Sequence, residues 1–404
     1  MTDPRPLTRT PPALLDWSRS STPTATSFGD IYFSTDGGLE ETRTVFLGGC
    51  GLPERWHNRP CFTIAELGFG SGLNFLAAWQ LWNQTKTKAQ RLHFVSIEKF
   101  PFDRSQLERA LSEWPELQPL SNQLITAWPG PVKGIHRLNF GDMILTLVHE
   151  DAKIAFNQID NLKADAWFLD GFNPSGNPAM WSDDVMNGVA KTCAPSARVA
   201  SFSVAGTVRS ALKQAGFEVR KMPGFGRKRH RLEADFIGHA DSNTRSIERA
   251  LIVGAGIAGR SLAQALSERH IPFDIIDNKA HPAASGNPAA LVKPRFDLQD
   301  RPESRFFLSA YLYALRSYPT SAVIERGIRQ IPKNKKEALR YKKLAEQSPL
   351  GEDHLHWQDE SFWIESAAVV RPSKIFNAFD IGNETYDAAE NCADYSHVLS
   401  LIHI

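Results

Sequence analysis

Cysteine is scarce in this chain. Cys50, Cys61, Cys193 and Cys392 are the only four among 404 residues, and no two form a CxxC pair. Scattered thiols without histidines at ligand spacing argue against a disulfide framework or a metal site, and they fit a reducing cytoplasm. Long apolar runs are missing too, since no stretch approaches the roughly 20 residues of a membrane span. Residues 1–12 are polar and proline-containing, which is no signal peptide. Charge of one sign is also absent. The net charge is +1, so no global basic field advertises a nucleic-acid partner, and only a local patch is left to do so. The 42% hydrophobic and 23% charged fractions describe an ordinary soluble globular chain. At roughly 150 residues per domain, the length predicts two to three domains.

What the chain does have is glycine at two short turns of different grammar. The first is Glu66-Leu67-Gly68-Phe69-Gly70-Ser71-Gly72. The second, Gly254-Ala255-Gly256-Ile257-Ala258-Gly259, follows Leu251-Ile252-Val253 and opens onto a helix-like segment. Both read as a buried strand, a tight turn where a ligand touches backbone, and then a helix. Only the second has the spacing that seats a pyrophosphate on a helix N-terminus. Two nucleotide-like cofactors in two domains are therefore expected, and with them an enzyme.

Around these turns the pattern alternates. Strands are expected at 61–66, 92–97, 165–169 and 198–203, with a helix at 74–82 and a late strand near 217–219. Such alternation argues for a doubly wound, mostly parallel α/β sheet. The polar run Asp241-Ser242-Asn243-Thr244-Arg245-Ser246 marks a linker at 241–248. It separates a first domain, 1–240, with a turn-rich extension at 1–60, from a second at 249–404. The second domain starts with a strand at 249–253, a helix at 260–269 and a strand at 273–276 closed by Asp277. Residues 327–348 read as a basic helix and 357–370 as strands.

In open α/β sheets the ligand lies beyond the carboxyl ends of the strands, so the residues there carry the chemistry. Glu98, ending the second strand, is placed to accept ribose hydroxyls. Glu66, just before the glycines, would repel a pyrophosphate but suits a cofactor with a cationic amino-acid end, such as S-adenosylmethionine. The plain alternative is a surface acid at a turn. A later strand delivers Asp170-Gly171-Phe172-Asn173-Pro174, similar to the motif by which amino-methyltransferases hold their target nitrogen. An ammonium has no lone pair, so methylating it needs a deprotonated, aimed amine. Asp170 is the candidate to take that proton or orient the amine, with Phe172 against the acceptor; otherwise Asp170 only caps its turn.

Gly226-Arg227-Lys228-Arg229-His230-Arg231 is the dense basic run of the chain. It reads either as a phosphate-contacting loop through Arg227, Lys228 and Arg229, or as a solvated turn. In the second domain Gly254, Gly256 and Gly259, with Asp277 for a ribose, form a dinucleotide fingerprint that alone does not separate NAD from FAD.

Longer runs resemble one family. They include Phe28-Gly29-Asp30-Ile31-Tyr32-Phe33-Ser34, Gly38-Leu39-Glu40-Glu41-Thr42-Arg43 and Leu67-Gly68-Phe69-Gly70-Ser71-Gly72-Leu73-Asn74-Phe75. Phe140-Gly141-Asp142, Trp167-Phe168-Leu169-Asp170-Gly171-Phe172 and Gly224-Phe225-Gly226-Arg227-Lys228-Arg229 belong with them. Across residues 25–300 the chain resembles the bifunctional tRNA 5-methylaminomethyl-2-thiouridine biosynthesis proteins, the MnmC family. The resemblance implies a class I methyltransferase, a Rossmann-like doubly wound sheet, followed by a partial FAD-binding Rossmann domain of the D-amino-acid oxidase type. It implies N-methylation of 5-aminomethyl-(2-thio)uridine at the tRNA wobble position. S-adenosylmethionine would then be held by Glu66, Gly68, Gly70, Gly72 and Phe172, with Glu98 on the ribose and Asp142 on the adenine. Asp170 would be the catalytic acid/base.

The segment 284–292, with Ser285 and Asn287, resembles the one that follows the FAD fingerprint in the family's oxidase domain. That domain removes the carboxymethyl group from 5-carboxymethylaminomethyluridine. A cytoplasmic, monomeric, tRNA-acting enzyme without membrane attachment is the expectation.

Residues 249–404 are fewer than a full flavin-plus-substrate domain needs, and 399–404 reads as translated adaptor sequence. An oxidase cut short is therefore expected, giving methylation without bound flavin. Two other readings stand beside this one. A methyltransferase fused to a small oxidoreductase would act on a free metabolite and need no tRNA. A tRNA-binding module with vestigial pockets is the other, and the strand-end acids Glu66, Glu98 and Asp170 argue against it.

Overall fold

The computed structural model describes residues 9–18, 22–35, 37–87, 90–159, 162–238, 247–277, 284–351, 354–375 and 385–387. Most of the expected linker at 241–248, Cys392 and the tail 399–404 lie outside the described residues. Two compact units are present. The first comprises 1–240, 295–313 and 343–352, and the second 241–294, 314–342 and 353–404.

The first unit opens its sheet with β1 (Cys61–Leu67), α1 (Leu73–Thr85), β2 (Arg91–Glu98), α2 (Arg104–Leu111) and α3 (Gln118–Ala127). A hairpin follows, of β3 (Gly134–Phe140) and β4 (Met143–His149). Then come β5 (Ala164–Leu169), α4 (Asp183–Lys191), β6 (Cys193–Ser201), α5 (Gly206–Gln214) and a second hairpin of β7 (Phe217–Pro223) and β8 (His230–Phe236). All eight strands form one sheet in the order β7-β8-β6-β5-β1-β2-β4-β3. Neighbours within β6-β5-β1-β2-β4 run parallel, while the outer pairings are antiparallel. The order reverses at β1. The chain leaves it toward β2 and β4, then returns to β5 on the other side, and loops diverging at such a point leave a crevice.

Side chains along the strands alternate by parity. Phe62, Ile64, Leu92, Phe94, Leu145, Leu147, Ala166 and Phe168 pack one face, with Phe75, Leu76 and Trp79 of α1. Ala65, Leu67, Val95, Ile97, Val148, Trp167 and Leu169 pack the other, with Val185, Met186 and Val189 of α4. With both faces covered, the strands are apolar almost throughout, and each fully buried Phe, Leu or Ile contributes about 1.5–3 kcal/mol. Helix α2 is fixed at its start by a capping box between Asp103 and Gln106.

In the second unit β9 (Ala250–Val253), α6 (Ile257–Ser267) and β10 (Phe273–Asp277) form a βαβ unit. Its two strands are parallel, and β10 also pairs with Thr385–Asp387. Arg249 anchors the start of β9 through two 2.6 Å bonds to Asp274. A second, antiparallel sheet contains Ala290–Val292, Val323–Gln330, Leu355–Gln358 and Ser361–Val370.

Two expectations need correction. The basic helix expected at 327–348 begins only at Lys335 and is preceded by the strand Val323–Gln330, because Pro332 separates two different periodicities. The sequence expectation also lacks the β3–β4 hairpin, which decides where Asp142 lies.

Candidate active site

The turn between β1 and α1 is built to pass close to its neighbours. Gly68 lies at φ +88, and a Cβ there would stand 2.4 Å from the carbonyl oxygen of Asp170. Only glycine lets this turn run against the end of β5. The Gly68 N–H donates to Ile97 O at 2.9 Å and the Asp170 N–H to Leu67 O at 3.1 Å, extending the ladder past the strand ends. Glu98 accepts from Gly70 N at 3.0 Å through one oxygen and from Phe100 N at 2.7 Å through the other. Burial raises the Glu98 pKa, and these backbone donors oppose the rise. Gly72, at φ 77, starts α1 without a side-chain cap.

Beyond these strand ends lies a cavity of about 290 Å³ lined by Gly68, Gly70, Glu98, Asp151, Asp170 and Phe172 among others. Its wall comes from a segment that the sequence presented only as a turn-rich extension. The Phe28 ring stacks on Phe172 at 4.7 Å, and Tyr32 meets Phe172 edge-on at 5.0 Å. Asp30 accepts from Asn173 N at 2.8 Å, which ties the same segment to the loop after β5. Burial and the nearby Glu98 charge raise the Tyr32 pKa, so its hydroxyl stays protonated. Glu150, just past β4, also lines the cavity and is held by Lys133 at 3.1 Å and Arg305 at 3.3 Å.

Asp170 belongs to a polar network under this cavity. Asn74, in the first turn of α1, donates to Asp170 Oδ2 at 2.6 Å and to Glu66 Oε1 at 2.9 Å. Ser96 donates to Glu66 Oε2 at 2.7 Å from the neighbouring position on β2. Thr42 donates to Asn74 Oδ1 at 2.8 Å. Burial pushes the Asp170 carboxyl up to about 7; Asn74 and Lys228 oppose the rise, while Glu41 and Asp30 add to it. Burial also drives the Glu66 carboxyl well above its usual range, against the donors Ser96 and Asn74.

The expected site residues divide. Gly68, Gly70, Glu98, Asp170 and Phe172 converge on the cavity. Glu66 does not line it, because its parity turns the fully buried side chain under α1. Asp142 is placed wrongly as an adenine contact. It occupies the β3–β4 turn, and its carbonyl accepts from Leu92 N at the start of β2, at the opposite end of the sheet. Its carboxylate pairs with Lys86 at 2.5 Å and accepts from Trp82 Nε1 at 3.3 Å. Arg227, Lys228 and Arg229 lie exposed in the β7–β8 turn. Lys228 is committed to Glu41 at 2.8 Å, stands over the Phe202 ring and lines the cavity.

The second unit keeps its fingerprint geometry. A Cβ at Gly259 would stand 1.8 Å from Gly254 O, so α6 packs directly on the turn. Asp277 accepts from the Ala255 N–H, and Ser285 Oγ accepts from Ile257 N at 2.9 Å. Asn287 is exposed, its N–H donating to Ala284 O at 3.2 Å.

Similar proteins point the same way. A family model described as S-adenosyl-L-methionine-dependent methyltransferase matches residues 115–236. A tRNA 5-methylaminomethyl-2-thiouridine biosynthesis bifunctional protein MnmC from Maricaulis maris is 45% identical over 372 residues, covering 90% of this chain. The protein of the same name from Caulobacter vibrioides is 44% identical over 345 residues, covering 84%. Over most of its own length the chain is similar to proteins named MnmC. It spans 63% and 58% of the lengths of these two MnmC relatives. Among solved structures, MNMC2 from Aquifex aeolicus is 25% identical, covering 54% of this chain and 68% of its own, with a TM-score of 0.44. The first unit itself is an α/β fold built on one eight-stranded sheet.

Proposed function

We propose that the first unit methylates the exocyclic amine of 5-aminomethyl-(2-thio)uridine at the wobble position of tRNA. The observation that carries this reading is Asp170. Its carboxyl stands at the cavity, is pushed up to about 7, and has aromatic rings beside it. A group titrating there can take a proton from an ammonium at physiological pH, whereas an ordinary aspartate is too weak a base. Asp30, Glu41 and Asp170 make this side of the cavity acidic, which draws in a cationic aminomethyl group. Phe28, Phe172 and Tyr32 offer faces and edges for a splayed-out base.

The residues present also fit S-adenosylmethionine, which supplies an electrophilic methyl group when bound. The Gly68–Gly72 turn would cradle its amino-acid end, Glu98 would hold the ribose, and Phe172 would border the reacting centre. Arg227 and Arg229 are proposed to meet tRNA phosphates. A tRNA substrate places the work in the cytoplasm. The protein is proposed to act as a monomer.

The second unit is proposed to hold FAD, which when bound accepts a hydride from the carbon beside nitrogen. Gly254, Gly256 and Gly259 would face its pyrophosphate and Asp277 its ribose, with Ser285 and Asn287 nearby. On that reading the second unit strips the carboxymethyl group from 5-carboxymethylaminomethyluridine and so prepares the acceptor of the first. A visible flavin band in the purified protein would support this and overturn the expectation of a flavin-free chain.

The deciding experiment for the first unit is transfer of labelled methyl from S-adenosylmethionine into tRNA lacking the wobble methyl, with free small amines alongside. Label in the wobble nucleoside alone is the expected result. Label only in free amines would favour the metabolite-acting alternative.

A further inference from the structure

Among the described residues, Asn74 is the side chain that donates to both Glu66 and Asp170. It is nearly fully buried, as are Thr42, Glu66 and Ser96. An asparagine amide has one acceptor and two donors, and its two ends are nearly alike in shape. Here the surroundings fix which end is which. The carboxylates of Glu66 and Asp170 take the Nδ2 donors, so Oδ1 faces Thr42 and accepts from its hydroxyl. Asp170 Oδ2 is occupied by that donor, while Oδ1 makes no hydrogen bond among the described residues and belongs to a cavity-lining side chain.

We propose that Asn74, braced by the Thr42 hydroxyl, is the positioning residue that holds Asp170 and leaves Oδ1 alone to meet the acceptor amine. This rests on the methyltransferase reading above.

The same contact also sets proton affinity. A donor aimed at a carboxylate favours its ionised form. Asn74 therefore works against burial, and against the charges of Glu41 on the helix Gly38–Glu41, Asp30 in the N-terminal wall and Glu66 on β1. Lys228, from the β7–β8 turn, is the cation on the same side as Asn74 in this balance. Without the Asn74 donor, Asp170 should hold its proton to higher pH. Hydrogen bonds to charged groups are strong enough to move the midpoint upward by about one to two pH units.

The test combines two readouts on the full chain. The Asp170 carboxyl is followed by 13C NMR, assigned with Asp170→Asn, and the acidic limb of kcat for tRNA methylation is followed against pH. Asn74→Leu should raise both midpoints by about one to two units and cut kcat, with the KM for S-adenosylmethionine changing less than kcat. Thr42→Val, which leaves Asn74 in place but without its brace, should move the NMR midpoint the same way by less. Thr42→Ser, which keeps the hydroxyl, should hold the wild-type midpoint. Unmoved midpoints in folded Asn74→Leu and Thr42→Val would overturn the proposal. If the NMR midpoints move but wild-type protein methylates no tRNA, the positioning role stands and the substrate reading falls.

Discussion

Replacing Asp170 by asparagine should make the folded protein more stable while removing its activity. Burial lifts the Asp170 carboxyl from 3.8 to about 7, so the folded state prefers the protonated form. The group's contribution to stability is fully present below 3.8 and is lost as pH rises through about 7. The gap between these values corresponds to about 4 kcal/mol, of which about 2–3 kcal/mol disappears between about pH 5 and about pH 8. The amide introduced by Asp170→Asn has the same shape as the carboxyl, does not ionise, and still offers an oxygen to Asn74. The advantage of the variant over wild type should therefore grow by about 2–3 kcal/mol across that range. Glu66 titrates in both proteins, so most of its contribution cancels.

Urea unfolding followed by tryptophan fluorescence suits the measurement, because of ten tryptophans only Trp357 and Trp363 lie in the second unit. Turnover should fall by about 10²–10⁴, the usual contribution of a positioned acid or base. A stability difference that stays constant from about pH 5 to about pH 8 would refute the linkage, and unchanged turnover would remove Asp170 from the chemistry.

Three more outcomes can be checked independently. Gly259→Val should abolish FAD binding, measured by quenching of flavin fluorescence, because its side chain would begin 1.8 Å from Gly254 O; methylation should continue. Phe28→Ala removes the ring stacked on Phe172, and aromatic pairs of this kind are worth about 0.5–1.5 kcal/mol. The KM for tRNA should rise about three- to tenfold, with S-adenosylmethionine affinity from calorimetry little changed. Asp142→Ala should leave that affinity at the wild-type value, since the residue lies at the far end of the sheet; its partly exposed pair with Lys86 is worth at most about 1 kcal/mol in thermal unfolding.

Much of the parallel sheet was legible because both of its faces are covered. Strands such as Phe62-Thr63-Ile64-Ala65 and Trp167-Phe168-Leu169 then stand out as short apolar runs ended by glycine or acid. The β3 strand has no such signature. Its residues alternate, Ile135 exposed and His136 buried, and no single stretch of it is hydrophobic enough to register. A signal was nevertheless present. Gly141-Asp142 is a glycine-led two-residue loop between paired strands, which is a hairpin signature. Carrying the family's adenine contact over to Asp142 put it at the wrong end of the sheet. The N-terminal wall was hidden for a different reason. Phe28, Asp30 and Tyr32 act through long-range contacts to the loop after β5, and no local periodicity announces a partner about 140 residues away.

Glu66 shows where motif position and side-chain direction part company. A glycine-turn motif says that an acid precedes the turn, but strand geometry decides which way it points. Counting by two from Phe62 and Ile64 places Glu66 on the α1 face, as counting from Leu92 and Phe94 places Ser96 there. The parallel register sets those two polar residues side by side, and one hydrogen bond of 2.7 Å results. The same count from Ala166 and Phe168 carries Asp170 one step past β5 on that face, where the first turn of α1 brings Asn74 between the two carboxyls. A polar residue at an apolar parity position, repeated on adjacent strands, is thus the signal that a buried network lies beneath a ligand site. It depends on register rather than on spacing within any one motif, which is why the cavity residues could be read from the glycine turn and the residues that hold Asp170 could not.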